Sequence, residues 1–276
     1  MKPAPFDFVR ADTLDEALST LADIGDEARI LAGGQSLVAM LNMRLSRPQV
    51  LVDIMRIDAL SAIEVRRNKV VIGAGVRQAD LMRWPDLKQN LPLVAAMLPY
   101  VGHAQSRSRG TVCGSLAHAD PSAELALACL TLDAEIRLRS RRKRRAVPAA
   151  DFFLGMMATA VGPDEMIEAV ALPVTAAGTG VGFREVARRH GDFAIVASAA
   201  IATPDGGHRL AVGGVADVPR AVELPAPDDA AFDEALNEFA WQLGARDDLH
   251  ASARYRRDLV RRLGRDTMEE AVRCRS

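Results

Sequence analysis

The sequence predicts a mixed α+β fold, with a glycine-rich N-terminal domain and a smaller C-terminal one. Three observations carry that prediction. Short apolar runs, Ala28 to Leu31 and Lys69 to Gly73, each lead into a glycine turn, as strands do. Helix-period segments with their own start and stop signals lie between such runs. Three more strand-like runs follow, and then a tail, Asp228 to Cys274, that is helical by period with a loop near Gly244 to Leu249.

In chain order, Thr13 reads as a helix N-cap, with Glu16 three residues on completing a capping box. Ala28 to Leu31 is a strand that feeds the turn Ala32-Gly33-Gly34-Gln35-Ser36, and Leu37 to Leu41 reads as a helix leaving it. Gln49 to Ile54 is a strand behind Pro48. Ala79 to Trp84 is a helix that Pro85 stops, and Leu93 to Met97 is a buried helix. A second turn, Gly110-Thr111-Val112-Cys113-Gly114-Ser115, comes next. Asp120 then reads as an N-cap with Pro121 at the first helical position, opening a helix, Ala123 to Leu132, that is apolar on most sides. Ala134 to Arg139 and Arg145 to Val147 read as a hairpin. Met166 to Leu172 is a strand ended by Pro173. Val174 to Gly180, small and glycine-rich, reads as the domain boundary, and Gly178-x-Gly180-x-Gly182 as a flexible joint. That triplet lacks the preceding strand and following helix of a dinucleotide fingerprint. Phe183 to Ala187, Ala194 to Ala202 and Arg209 to Val215 read as a small antiparallel sheet, with Gly213-Gly214 as a turn.

Composition narrows the function classes. The 276 residues are 49% hydrophobic and 26% charged, an ordinary globular balance of a size that suits about two domains. The net charge of −1 gives no global pull toward nucleic acid or an anionic membrane. No apolar run reaches the roughly 18 residues of a membrane span, and the start lacks a secretory apolar core, so a cytoplasmic location is expected. Cys113, Cys129 and Cys274 offer neither a disulfide framework nor zinc spacing. An iron–sulfur cluster wants four cysteine thiolates, so any cluster belongs to a partner. The five histidines form no HExxH pair.

The two glycine turns point to a large anionic ligand. Without a Cβ, glycine lets backbone N–H groups approach charged oxygens closely, and consecutive N–H groups form an anion-binding concavity. Gln35, Ser36, Thr111 and Ser115 add side-chain donors. The pair predicts a flavin dinucleotide held along its pyrophosphate. Alone, Gly33-Gly34 reads equally as a tight turn. Phe193 fits either a flavin shield or ordinary core, and Glu124 either a ribose acceptor or a surface carboxylate. His118 and Asp120 could pair for proton work, although Asp120 has a capping role. The run Arg137 to Arg145, seven cations in nine positions, reads as a solvated hairpin tip or as a docking patch for an acidic partner.

These motifs, together with Phe6-Asp7-Phe8, Leu51-Val52-Asp53-Ile54, Arg109, Asp151-Phe152-Phe153, Gly191-Asp192-Phe193-Ala194 and Tyr255-Arg256-Arg257, resemble the FAD-binding medium subunit of the molybdenum hydroxylases, over nearly the full length. That group includes carbon monoxide dehydrogenase and the FAD domain of xanthine dehydrogenase. The resemblance implies a two-part FAD domain of the vanillyl-alcohol-oxidase type over 1–175, with subdomains of about 1–57 and 58–175. A C-terminal α+β domain with a three-stranded antiparallel sheet would span 176–276. It implies a cofactor site of Leu31, Ala32, Gly33, Gly34, Gln35, Ser36, Val101, Thr111, Val112, Cys113, Gly114 and Ser115. Glu124 would bind ribose, Ile167 would touch the flavin and Phe193 would lie beside its ring. Arg184, with Arg188 and Arg189, is a candidate for holding charge on reduced flavin. Cys113 stands where the family has glycine, which suits only a negative φ, and His118 replaces asparagine.

The function so implied is electron transfer within a larger oxidoreductase. A large subunit would hold the molybdenum cofactor and a small one 2Fe–2S clusters, in a dimer of heterotrimers. Substrate choice among carbon monoxide, aldehydes and aromatic N-heterocycles would lie with the large subunit. The absence of a nicotinamide motif leans toward a quinone, cytochrome or oxygen as acceptor. The alternatives are a self-sufficient FAD-dependent oxidoreductase, which lacks an evident acid–base constellation, and a non-enzymatic module using the basic run.

Overall fold

The computed structural model describes residues 2–275. Strands β1 (Asp7–Arg10), β2 (Ala28–Leu31) and β3 (Val50–Asp53) form a parallel sheet in the order β1-β3-β2. Parallel neighbours need crossovers, and α1 (Leu14–Ile24) and α2 (Leu37–Asn42) supply them. α1 begins as its sequence dictates. Thr13 Oγ1 accepts from the Glu16 N–H at 3.2 Å, and Glu16 Oε2 accepts from the Asp12 N–H at 2.9 Å. Its Ala17, Leu18 and Leu21 face the core.

A second, antiparallel sheet holds β4 (Ile63–Arg66), β5 (Lys69–Gly73), β6 (Glu135–Arg139) and β7 (Arg144–Pro148). The short hairpin β8 (Phe153–Gly155) and β9 (Ala158–Thr159) lies outside it, and β10 (Met166–Pro173) runs through its centre, in the order β4-β5-β10-β6-β7. Between β5 and β6 the chain makes α3 (Gln78–Arg83), α4 (Leu87–Asn90), α5 (Pro92–Met97), α6 (Ala104–Arg107), α7 (Val112–His118) and α8 (Glu124–Thr131), and α9 (Ala149–Phe152) follows β7. α8 is buried on almost every side, as its apolar run demands. It starts later than expected. Asp120 Oδ1 accepts from the Ser122 N–H at 2.8 Å, closing a local turn instead of capping the helix, and Ala123 takes the cap position.

The C-terminal sheet has β11 (Gly180–Ala187), β12 (Ala194–Ala202), β13 (His208–Gly213) and β14 (Arg220–Glu223), antiparallel in sequence order. The fourth strand exceeds the three expected. Its Arg-Ala-Val-Glu run carries little apolar signal, and its pairing with β13 creates it. The helices α10 (Phe232–Gln242) and α11 (Ala253–Arg273) cover one face and share a core with Val196, Ala200, Leu210 and Val212. The other face contributes Phe183, Ala197, Ala199 and Ala211 to the large N-terminal core, so the sheet is buried on both sides.

The glycine triplet is not a joint. Gly178 makes a turn at φ +77°, but Gly180 and Gly182 lie within β11. A Cβ on Gly182 would lie 2.1 Å from the carbonyl oxygen of Thr267, and one on Gly180 closer still to that of Ala271. Bare backbone is what lets α11 lie flat on the strand. Among the described residues no helix is long and apolar enough to cross a membrane.

Candidate functional site

The turn Ala32 to Ser36 joins β2 to α2. Gly34 has φ +72°, where a side chain is strained. Gly33 is constrained by its neighbours: a Cβ there would sit 2.2 Å from the carbonyl oxygen of Arg109 and 2.6 Å from Cα of Gly110. The two glycine turns, remote in sequence, are therefore pressed together backbone to backbone. The second turn is fastened from below. The Gln78 N–H donates to the Gly110 carbonyl at 2.8 Å and the Val112 N–H to that of Val76 at 3.0 Å. Thr111 Oγ1 accepts from the Gly114 N–H at 3.0 Å and caps α7, a bond that uses a lone pair of the hydroxyl and leaves its O–H able to donate.

This interlock leaves a row of donors. Among the described residues, the backbone N–H groups of Gly33, Gly34, Gln35, Ser36, Thr111 and Cys113 have no acceptor. Ser36 makes no capping bond with its side chain, while Gln35 Nε2 reaches the Gly33 carbonyl at 3.3 Å. The first turn, with Leu31, lines a cleft of about 530 Å³, where Arg77 and Arg109 add positive charge and Val38 and Met55 an apolar wall. Clustered N–H groups with flanking guanidinium groups suit a pyrophosphate. The cradle fits the phosphate portion of a dinucleotide, and a side chain at Gly33 would push apart the two turns that form it.

Two carboxyls stand beyond the second turn. Glu124, in the first turn of α8, is only 7% exposed, and burial lifts its carboxyl to about 7 against a weaker pull from Arg107. Glu185, on the face of β11 that meets the N-terminal core, is raised to about 8 by burial and then by Glu124. The sequence reading missed Arg77 and Arg109, which line the cleft, and did not single out the partly buried Glu185. Alternation along β11, with Phe183 inward, is the signal that could have found Glu185.

Comparison with known proteins now decides the family. Residues 4–175 match the family model "FAD binding domain in molybdopterin dehydrogenase", and residues 182–271 match "CO dehydrogenase flavoprotein C-terminal domain". The chain belongs to the FAD-binding medium subunits of the molybdenum hydroxylases. Subunit alpha of the 6-hydroxypseudooxynicotine dehydrogenase complex of Paenarthrobacter nicotinovorans is 38% identical, over 99% of this chain and 96% of that one. The glyceraldehyde dehydrogenase medium chain of Sulfolobus acidocaldarius is 35% identical, over 99% and 100%. The reconstituted CO dehydrogenase from Oligotropha carboxidovorans superposes with a TM-score of 0.94 at 29% identity, over 99% and 100% of the two chains. The protein is thus an FAD-binding oxidoreductase subunit of the molybdenum hydroxylase type.

Within this medium subunit the remaining expected site residues fall in several places. Cys113 lies in α7 and is not among the residues of positive φ, so a side chain stands there without backbone strain, where the resemblance implied glycine. Its thiol points into the core, 3.7 Å from the Ile72 carbonyl, and burial pushes it up to about 12. Only its N–H faces the cradle, and Val112 is likewise buried. Ser115 lies inside α7, and Gly114 sits against Thr111, where a Cβ would lie 2.6 Å from Oγ1. The Val101 carbonyl accepts from Arg107 Nη1 at 2.9 Å. Ile167 is buried in β10 at an irregularity in its pairing with β6. Phe193 is 74% exposed, so it is not core. Arg184 is not brought to the turns. It lies on the opposite face of β11 from Glu185 and pairs with Glu270 of α11 at 3.1 Å.

Proposed function

We propose that this medium subunit carries electrons from 2Fe–2S clusters of a small partner subunit, through its FAD, to an external acceptor. A large partner would oxidise the substrate at a molybdenum cofactor, within a dimer of heterotrimers in the cytoplasm. The observation that carries the reading is the row of acceptor-less N–H groups where the two glycine turns interlock. Bound FAD would supply the redox chemistry itself. The chain's own work is to bind, orient and shield. Gly33, Gly34, Gln35, Ser36, Thr111 and Cys113 would donate to the pyrophosphate from the backbone, and Arg77 and Arg109 would balance its charge. Glu124 would accept from ribose, with Leu31, Val101 and Ile167 as apolar or backbone neighbours. Phe193, exposed beside the turn at Gly191, would shield the ring. On this reading residues 1–175 form the FAD domain, with subdomains of about 1–57 and 58–175, and 176–276 the smaller domain.

A visible spectrum of the purified chain, loaded with FAD where needed, tests the reading. Flavin bands that survive gel filtration, and are lost in Gly34→Val, are expected. Absence of flavin from both the chain and its co-expressed assembly would overturn it. Recovery of molybdenum- and iron-containing partners with the tagged chain tests the assembly.

A further inference from the structure

The hairpin of β6 and β7 carries the basic run, which the cleft of the glycine turns does not use. Its turn is fixed from inside. Ser140 is buried, its N–H donates to the Lys143 carbonyl at 2.8 Å, and its Oγ accepts from the N–H groups of Arg142 at 3.4 Å and Lys143 at 3.2 Å. Arg141, Arg142, Lys143 and Arg144 are held out in solvent around that closed turn. Two carboxylates serve the seven cations of the run. Glu168 takes Arg139 at 2.7 Å and Arg144 at 3.8 Å, and Glu165 takes Arg145 at 2.6 Å. Among the described residues, Arg137, Arg141, Arg142 and Lys143 make no ion pair. Arg139 and Arg144 also stand opposite each other across the strands, and like charges so placed weaken a hairpin. The whole chain carries a net charge of −1, so the rest of it is net negative and the hairpin is a local positive pole.

The surroundings of the pole select its partner. A permanent subunit interface is apolar at its centre and poor in charge, whereas this hairpin exposes no large apolar side chain. For the same reason it has nothing to bury in a lipid surface. No aromatic residue lies between Ala134 and Pro148, so the bases of a single-stranded nucleic acid would find nothing to stack on. A brief, charge-steered encounter with an acidic protein is what such a surface suits. Position gives the encounter a purpose. β6 pairs with β10, with Leu138 opposite Ile167 and Arg139 opposite Met166. The turn begins only a few residues beyond Leu138, roughly 10 Å along the strand, from the part of β10 assigned above to the flavin.

We propose that the tip of this hairpin, Arg141, Arg142 and Lys143, docks a small acidic one-electron carrier protein that serves as the external acceptor. The inference rests on the FAD reading above. In the exchange two carriers are reduced by one electron each. Both electrons come from fully reduced FAD, which is oxidised, and its two protons pass to solvent. The hairpin takes no part in the chemistry. It raises the carrier's local concentration and fixes where the carrier lands.

The probe is a basic c-type cytochrome whose lysines have been succinylated, which makes it acidic, and the unmodified cytochrome is the control with the same haem. The acidic form should bind the full chain, with or without FAD, and its Kd should rise about tenfold between about 20 and 200 mM salt, since exposed charges are screened. Arg141→Glu with Arg142→Glu should weaken binding about tenfold. Arg254→Glu with Arg262→Glu makes the same change of net charge at two exposed positions of α11 and should stay within about twofold of the parent. In stopped flow, the reduced FAD-loaded hairpin variant should pass electrons to the acidic cytochrome about tenfold more slowly than the parent, and to a neutral quinone at the parent rate. Equal effects of the two double variants would overturn the docking site. So would equal affinity for the unmodified cytochrome, or tighter binding of single-stranded RNA or anionic vesicles at the same salt. Lost binding with undiminished electron transfer would overturn the hairpin as the acceptor's site. Absence of FAD from the chain and its assembly would instead remove the FAD reading and the carrier role with it, an outcome that the binding measurement on the flavin-free chain keeps separate.

Discussion

Gly33 does its work through what a side chain there would strike. The backbone of Arg109 and Gly110 occupies the Cβ position, so the first glycine turn can seat the second only without a side chain. Cys113 shows the opposite case. The position where the resemblance implied glycine tolerates a thiol because helical φ accepts a Cβ and the side chain drops into the core, away from the row of N–H groups. The thiol is held neutral by burial, so it should be inert. In the folded protein a thiol reagent should label Cys274 alone, and all three cysteines after denaturation. Rapid labelling of Cys113 in the folded chain would show that its side chain opens to the cleft. Cys113→Ala should cost about 1 kcal/mol of stability, as small buried truncations do, and leave FAD affinity unchanged. A tenfold loss of affinity would put the side chain in the site.

At the scale of elements, spacing and chemistry mark out most of the framework. The cap at Thr13, the strand and turn at Ala28 to Ser36, and the two C-terminal helices are local, so they are legible before folding. β14, β4 and β1 are not, because edge strands of mixed polarity exist only through the partner that pairs them. The misread glycines Gly180 and Gly182 belong here too. In sequence a glycine alternation looks like slack, yet in β11 it is the contact surface for α11. Gly182→Val should therefore unseat α11 and cost about 3 kcal/mol or more, seen as a lower unfolding midpoint, since a Cβ would collide with fixed backbone. Gly206, whose Cβ position is open, is the control, with a smaller penalty of about 1 kcal/mol set by its φ of +90° alone. Equal effects at the two sites would refute the packing role. The basic run resolves similarly: Arg139 and Arg145 are tied to Glu168 and Glu165 across the sheet, and Arg141 and Arg142 stay in solvent at the tip.

For the whole molecule, the balance of buried acids sets how stability follows pH. Glu124 and Glu185 keep their protons in the folded chain up to about 7 and about 8, whereas the unfolded chain loses them near 4.5. Folding then holds more protons than unfolding, so their contribution is present below about pH 4.5 and is lost as pH rises through about 8. Glu165 has the opposite sign. Held below the usual range by Arg145, it gives stability above about pH 4.5 that is lost in acid. The flavin-free chain should therefore melt at a lower temperature at pH 8.5 than at pH 6. Calorimetry should show that difference shrink in the Glu124→Gln, Glu185→Gln double variant, and a melting point that rises with pH would contradict the buried carboxyls. The sequence by itself determined the α+β class, both glycine turns and the anionic dinucleotide they suit, because turns, caps and apolar periods are written in neighbouring residues. Only the tertiary structure decided that the turns interlock, that Cys113 faces inward, that Arg184 turns away and that Glu124 and Glu185 lose most of their solvent. Those outcomes depend on which backbone lies against which, and on the register that sends alternate side chains of a strand to opposite faces.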